Sequence, residues 1–197
     1  MTTAEAYAAF YTLLLGLGMA AMLTGLADVI RRKEVREIGL PGGLLLVLIL
    51  FEFLTGWIAA PGSLATNNAI SSGSLVLPFL TGSCYFLAAV LLFPDAEARE
   101  RGGLRAYIAD QTRIIALLLM VANACLVLAE TDYAIDQFVN RNARFWAVYL
   151  PFNATILLAY GVVALWPRRR IATIAMAVLL VVYTLFTLGV QTIFFPR

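Results

Sequence analysis

Positive charge in this chain is concentrated in alternate gaps between long apolar runs. Of its 14 Lys and Arg residues, four stand in the first gap (Arg31, Arg32, Lys33, Arg36), four in the third (Arg99, Arg101, Arg105, Arg113) and three in the fifth (Arg168, Arg169, Arg170). The second gap, Pro61 to Ser72, is uncharged, and the fourth sets Glu130, Asp132 and Asp136 against Arg141 and Arg144. Lys and Arg accumulate in the cytoplasmic loops of multi-pass membrane proteins. The pattern therefore predicts a polytopic membrane protein with these three basic gaps in the cytoplasm and both termini on the outer side.

A helix needs about 20 apolar residues to cross a bilayer. Six stretches qualify: Tyr7 to Ile30, Leu40 to Ala60, Gly73 to Phe93, Arg113 to Ala129, Phe145 to Trp166 and Ile171 to Phe195. The fourth is the shortest, and its apolar character reaches back to Tyr107. The expected fold is all-α: a bundle of six transmembrane helices forming a single transmembrane domain over residues 1–197. Only 13% of the residues are charged, about half of what a soluble domain carries, and the loops are too short for a separate folded domain. Asp95 to Asp110, with Gly102-Gly103, reads as a solvated loop with a surface helix from Leu104. Met1 to Tyr7 holds Glu5 and no positive charge, so the first span is expected to stay rather than be cleaved. Trp57, Tyr133, Phe145, Trp146 and Tyr149 are expected at the outer interface, and Phe93 and Trp166 at the inner one.

One internal similarity stands out. Leu77-Pro78-Phe79 runs to Phe93-Pro94 at the same spacing as Leu150-Pro151-Phe152 runs to Trp166-Pro167. The same shift of 73 residues lays Leu44 to Val47 on Leu117 to Met120 without a gap. Duplication of one helical hairpin, spans 2–3 and 4–5, is one reading; chance alignment of leucine-rich helices is the other. Repeats of this kind are a known construction of transporters.

Glu52 carries the sharpest signal of chemistry. It lies 12 residues beyond Leu40, roughly 18 Å along a helix and just past the middle of a hydrocarbon core about 30 Å thick. No Lys, Arg or His occurs within any span at that depth. An ionisable side chain there needs a partner or a wet cavity. Glu52 is therefore either a neutral acid hydrogen-bonded between helices, or a group that faces water or a bound cation. Further polar residues could converge on it from the outer half of the bundle: Asn123 in span 4, Asn153 and Thr155 in span 5, Thr81, Ser83 and Tyr85 in span 3, and Thr187 and Gln191 in span 6. Pro78 and Pro151 are expected to kink their helices and free a carbonyl one turn earlier. Together these groups would line an outward-opening polar cavity with Glu52 at its floor; each could equally be helix-to-helix glue.

Other features read more simply. Asp28 precedes Arg31 and Arg32 by three and four residues, the spacing of a helical ion pair. Gly16, Gly18, Ala21 and Gly25 make a small-residue face for close helix contact, within the bundle or between protomers. Cys84 and Cys125 lie inside apolar runs and read as buried small hydrophobes. Glu130, Asp132 and Asp136 read as solvated loop. The sequence contains no histidine, which removes the commonest metal ligand and general base. No phosphate loop, dinucleotide glycine pattern or nucleophile beside a base is present. No cofactor, metal site or catalytic residue is expected, and the basic residues are explained by topology rather than by nucleic acid.

The run Leu14-Leu15-Gly16-Leu17-Gly18 through Leu23-Thr24-Gly25-Leu26 to Ile30-Arg31-Arg32 resembles the opening of a group of small bacterial six-span membrane proteins. In that group the third span ends in a similar Leu-Leu-Phe-Pro, here Leu91 to Pro94, followed by acids. The resemblance implies a bacterial inner-membrane setting and nothing catalytic. The functional expectation is a small carrier or channel-like protein with an outward-facing polar site based on Glu52. The alternative is an accessory or scaffold subunit, self-associating or part of a larger membrane assembly.

Overall fold

A computed structural model describes residues 3–65, 72–94, 96–129, 135, 138–140, 145–168 and 170–187. These residues form α1 (Thr3–Arg31), α2 (Val35–Ala65), α3 (Ser72–Leu92), α4 (Ala96–Ala129), a π-helical turn (Phe145–Tyr149), α5 (Leu150–Leu165) and α6 (Arg170–Thr187). Among the described residues there is no strand. Five helical stretches are long and apolar enough to cross a membrane: Ala9–Arg31, Val35–Trp57, Gly103–Ala129, Trp146–Leu165 and Arg170–Thr187. Val76–Leu92 in α3 is a shorter apolar helix.

Why the helices begin and end where they do follows from backbone chemistry. At the end of α1 the Lys33 N–H donates to Ile30 O and the Glu34 N–H to Val29 O, each at 3.0 Å. Lys33 sits at φ 60°, so the turn is a Schellman motif with lysine in the left-handed position that glycine usually fills. Just beyond, Asp28 and Arg32 form the ion pair their spacing predicts, at 3.1 Å and half exposed. Within α2, Gly39 breaks the helix at φ 64°, ψ 175°. The membrane-length part therefore starts at Leu40, with Pro41 in its first turn, where no intrahelical N–H is needed.

Gly103 breaks α4 in the same way, at φ 76°, ψ 161°. From Leu104 the helix is continuous with the fourth apolar run, and Leu104 and Ile108 are buried. The segment expected to be a solvated loop with a surface helix is thus the root of a long spanning helix. Sequence reading stopped at the charges of Arg105, Asp110 and Arg113, which all lie on exposed positions of that root.

The six helices close into a ring in the order α2–α1–α3–α4–α5–α6, and α2 also meets α3 and α4 across it. The basic connections gather at one end. Arg168, before α6, pairs with Asp110 of α4, and Arg105 of α4 lies against Gly39 of α2. The outer surface is apolar along the helices, from Phe10, Leu13 and Leu17 of α1 to Ile174, Val178 and Val181 of α6. A water-soluble fold rarely leaves contiguous apolar surface of that extent, and a lipid bilayer is its natural surroundings.

The small residues of α1 are used inside the bundle. A Cβ on Gly18 would meet the Phe53 ring, and one on Gly25 would come within 2.7 Å of Phe93 Cβ. Phe93, at the end of α3, seats its ring on Gly25 and is buried. Its Cβ cannot swing away as a ring tip can. Gly25→Ala is therefore expected to lower stability by about 1–3 kcal/mol, read as a fall in melting temperature in mild detergent, with Gly16→Ala unchanged because Gly16 faces open space. Cys84 and Cys125 are buried free thiols.

Candidate functional site

Side chains on a helix lean toward its N-terminus. α2, α4 and α6 run away from the basic end of the bundle, and α3 and α5 run back toward it. Residues on the two sets therefore lean toward each other when they sit at staggered heights. Glu52 on α2, Tyr85 on α3, Asn123 on α4, Tyr160 on α5 and Tyr183 on α6 meet in this way.

Glu52 is 1% exposed, and its carboxyl accepts four hydrogen bonds. The Tyr85 hydroxyl donates to Oε2 at 2.8 Å. Oε1 accepts from the Tyr160 hydroxyl at 2.7 Å, the Tyr183 hydroxyl at 2.6 Å and Asn123 Nδ2 at 2.9 Å. Five of the six helices are thereby tied to one carboxyl. The sixth is adjacent: the Tyr11 hydroxyl of α1 rests over Gly56, one turn beyond Glu52, at the distance where any side chain there would crowd it. Among the described residues no Lys or Arg forms an ion pair with Glu52. The compensation that a buried carboxyl demands comes from hydroxyl and amide donors.

Beside this cluster is a cavity of about 370 Å³ on the side away from the basic connections. Glu52, Asn123 and Tyr183 form its polar floor. Thr55 and Gly56 of α2, Leu126 and Val127 of α4, Tyr149, Phe152, Asn153 and Ile156 around the start of α5, and Phe186 and Thr187 of α6 line the rest. Phe152 stacks on Phe186, with ring centroids 4.0 Å apart, and meets Tyr183 edge-on at 5.8 Å. The volume falls within the range of small-molecule sites.

The sequence-predicted residues divide into three groups. Tyr85 and Asn123 bind Glu52 directly, and only Asn123 of the two also faces the cavity. Asn153 lines the cavity but does not reach Glu52; its Nδ2 donates to Tyr149 O of its own helix. Thr81 belongs to neither, because its hydroxyl bonds Leu77 O at 3.0 Å and Ala122 O at 3.4 Å, joining α3 to α4. Gln191, Tyr133, Glu130, Asp132 and Asp136 lie outside the described residues. Pro78 sits within α3, which passes it without a non-helical residue. Pro151 is the second residue of α5, directly after the π-helical turn and near the start of the apolar stretch Trp146–Leu165.

Sequence reading missed Tyr160 and Tyr183. Two of the neutral donors expected around Glu52, Tyr85 and Asn123, do bind it, but Tyr160 and Tyr183 were not among them. A usable signal was present. Tyrosine in a spanning helix favours the membrane interface, and these two stand deep in apolar runs where their hydroxyls need a partner.

No family model, curated protein or solved structure matches this chain.

Proposed function

We propose that this chain is a small membrane carrier whose polar site is the cavity floored by Glu52. The reading places six spans in a bacterial inner membrane, α3 being the sixth, with basic connections in the cytoplasm and both termini outside. The cavity then opens toward the outer face. Its orientation rests on the positive-inside rule, and its setting on the sequence resemblance. The observation that carries the function is the pairing of a buried acid lacking any cationic neighbour with a cavity large enough for a small molecule. A carboxyl serving only as a fastener needs no such space beside it.

The direct test is uptake into liposomes containing the purified protein, driven by a pH gradient. Glu52→Gln keeps the size and one acceptor oxygen but loses the charge, and it is expected to abolish gradient-dependent uptake while Thr81→Val retains it. Uptake by Glu52→Gln at the wild-type rate would remove the proposed role.

The accessory or scaffold alternative predicts stable self-association or co-purification with a larger membrane complex. It drew on the glycine face of α1, and Gly18 and Gly25 are occupied by Phe53 and Phe93 of the same chain, so that support is reduced. The duplicated hairpin keeps its paired Leu-Pro-Phe, but packing lends it little: α2 and α3 touch sparsely where α4 and α5 pack at length.

A further inference from the structure

We propose that the cavity beside Glu52 binds a small organic cation, an ammonium group carried on an apolar body. This deepens the carrier reading and rests on the same cavity, but it does not depend on transport.

The hydrogen-bond inventory of the floor is one-sided. Both Nδ2 hydrogens of Asn123 are committed, to Glu52 Oε1 and to Leu119 O at 2.9 Å each. That sets the amide's orientation, and neither of these bonds uses its Oδ1. The Thr55 hydroxyl is spent on Phe51 O and Glu52 O of its own helix. Tyr183 has given its hydrogen to Glu52. Asn153 gives one of its two Nδ2 hydrogens to Tyr149 O. Glu52 Oε1 already takes three donors, while Oε2 takes one and keeps room for another. The floor itself, Glu52, Asn123 and Tyr183, therefore offers lone pairs and no spare hydrogens, while the second Nδ2 hydrogen of Asn153 and the Thr187 hydroxyl stand on the wall. An occupant must bring donors.

Charge and shape narrow the class. Among the described residues no cationic side chain pairs with the carboxyl, and an anionic guest would meet its oxygens and the surrounding lone pairs. A bare metal ion fits poorly. Among the described residues no three metal-ligating side chains cluster, and the space equals about twelve waters at roughly 30 Å³ each. The walls are Phe152, Phe186 and the Tyr183 ring with Leu126, Val127 and Ile156, which suit an apolar body and give an ammonium group aromatic faces. An ammonium at Oε2 and Asn123 Oδ1, with its hydrocarbon against Phe152 and Phe186, satisfies every one of these surfaces.

The test is isothermal titration of the full chain in lipid nanodiscs with three probes of one shape: 2-phenylethylamine, 2-phenylethanol and phenylacetate. The amine is expected to bind about tenfold or more tightly than the alcohol, and phenylacetate not to compete. Glu52→Gln is expected to bring amine and alcohol to parity. Should that variant not fold, Asn153→Lys places a tethered ammonium in the wall and is expected to exclude the amine while the alcohol still binds. The proposal is overturned if alcohol or phenylacetate binds as tightly as the amine, or if the amine binds undiminished to whichever of the two variants is folded. Amine binding without uptake in liposomes would sink the carrier reading and leave this one standing. Uptake by a protein with no amine preference would do the reverse.

Discussion

Glu52→Ala is expected to be the most damaging single substitution in this chain, lowering stability by about 3–5 kcal/mol, as the stranding of several buried donors does. The reason is the number of groups it strands. Three tyrosine hydroxyls and an asparagine amide converge on the carboxyl, and each buried donor left without an acceptor costs about 1–3 kcal/mol. The full sum is not reached, because the alanine vacancy joins the adjacent cavity and lets water take some of the hydrogens. Glu52→Gln is expected to lose less, since the amide retains an oxygen facing Oε1's three donors. The check is thermal unfolding in mild detergent, with the order wild type, then Gln, then Ala. An alanine variant as stable as wild type would mean that the tyrosines are satisfied elsewhere.

Tyr160→Phe is expected to cost about 1–3 kcal/mol, as removing one partner of a buried hydrogen bond does, and Tyr183→Phe clearly less. Both hydroxyls donate to the same oxygen, at 2.7 and 2.6 Å, and both side chains are buried. They differ in what lies behind them. Tyr183 lines the cavity, where water can replace the missing donor, while Tyr160 is fully buried and is not among the cavity's lining residues. Melting temperatures of the two variants under one condition decide it. The opposite order would mean that the cavity does not hydrate the carboxyl.

The contrast between these two tyrosines shows where sequence reading worked and where it stopped. Spans were legible because hydrocarbon imposes one rule on every residue in them, and the apolar runs around Leu45, Leu119 and Leu179 obey it. Glu52 was legible for the same reason, as a violation of that rule. Its partners were harder to see. Tyr160 lies 108 residues away in sequence and Tyr183 131, and hydropathy treats both as ordinary span residues. Which face of α5 or α6 turns inward is set by packing, and these helices are apolar all round, so no polar stripe marks it. Thr81 failed for the complementary reason: a hydroxyl in a span can satisfy itself on a carbonyl one turn back, and it did so on Leu77.

The central claim is that a single carboxyl is the shared acceptor of donors from four other helices. Infrared difference spectra of the protein in nanodiscs, wild type minus Glu52→Gln, isolate the Glu52 carboxyl band. If the claim holds, that band is shifted by strong hydrogen bonding, and it moves again in Tyr160→Phe and in Asn123→Leu. A band at the position of a free carboxyl, the same in all three backgrounds, would contradict it.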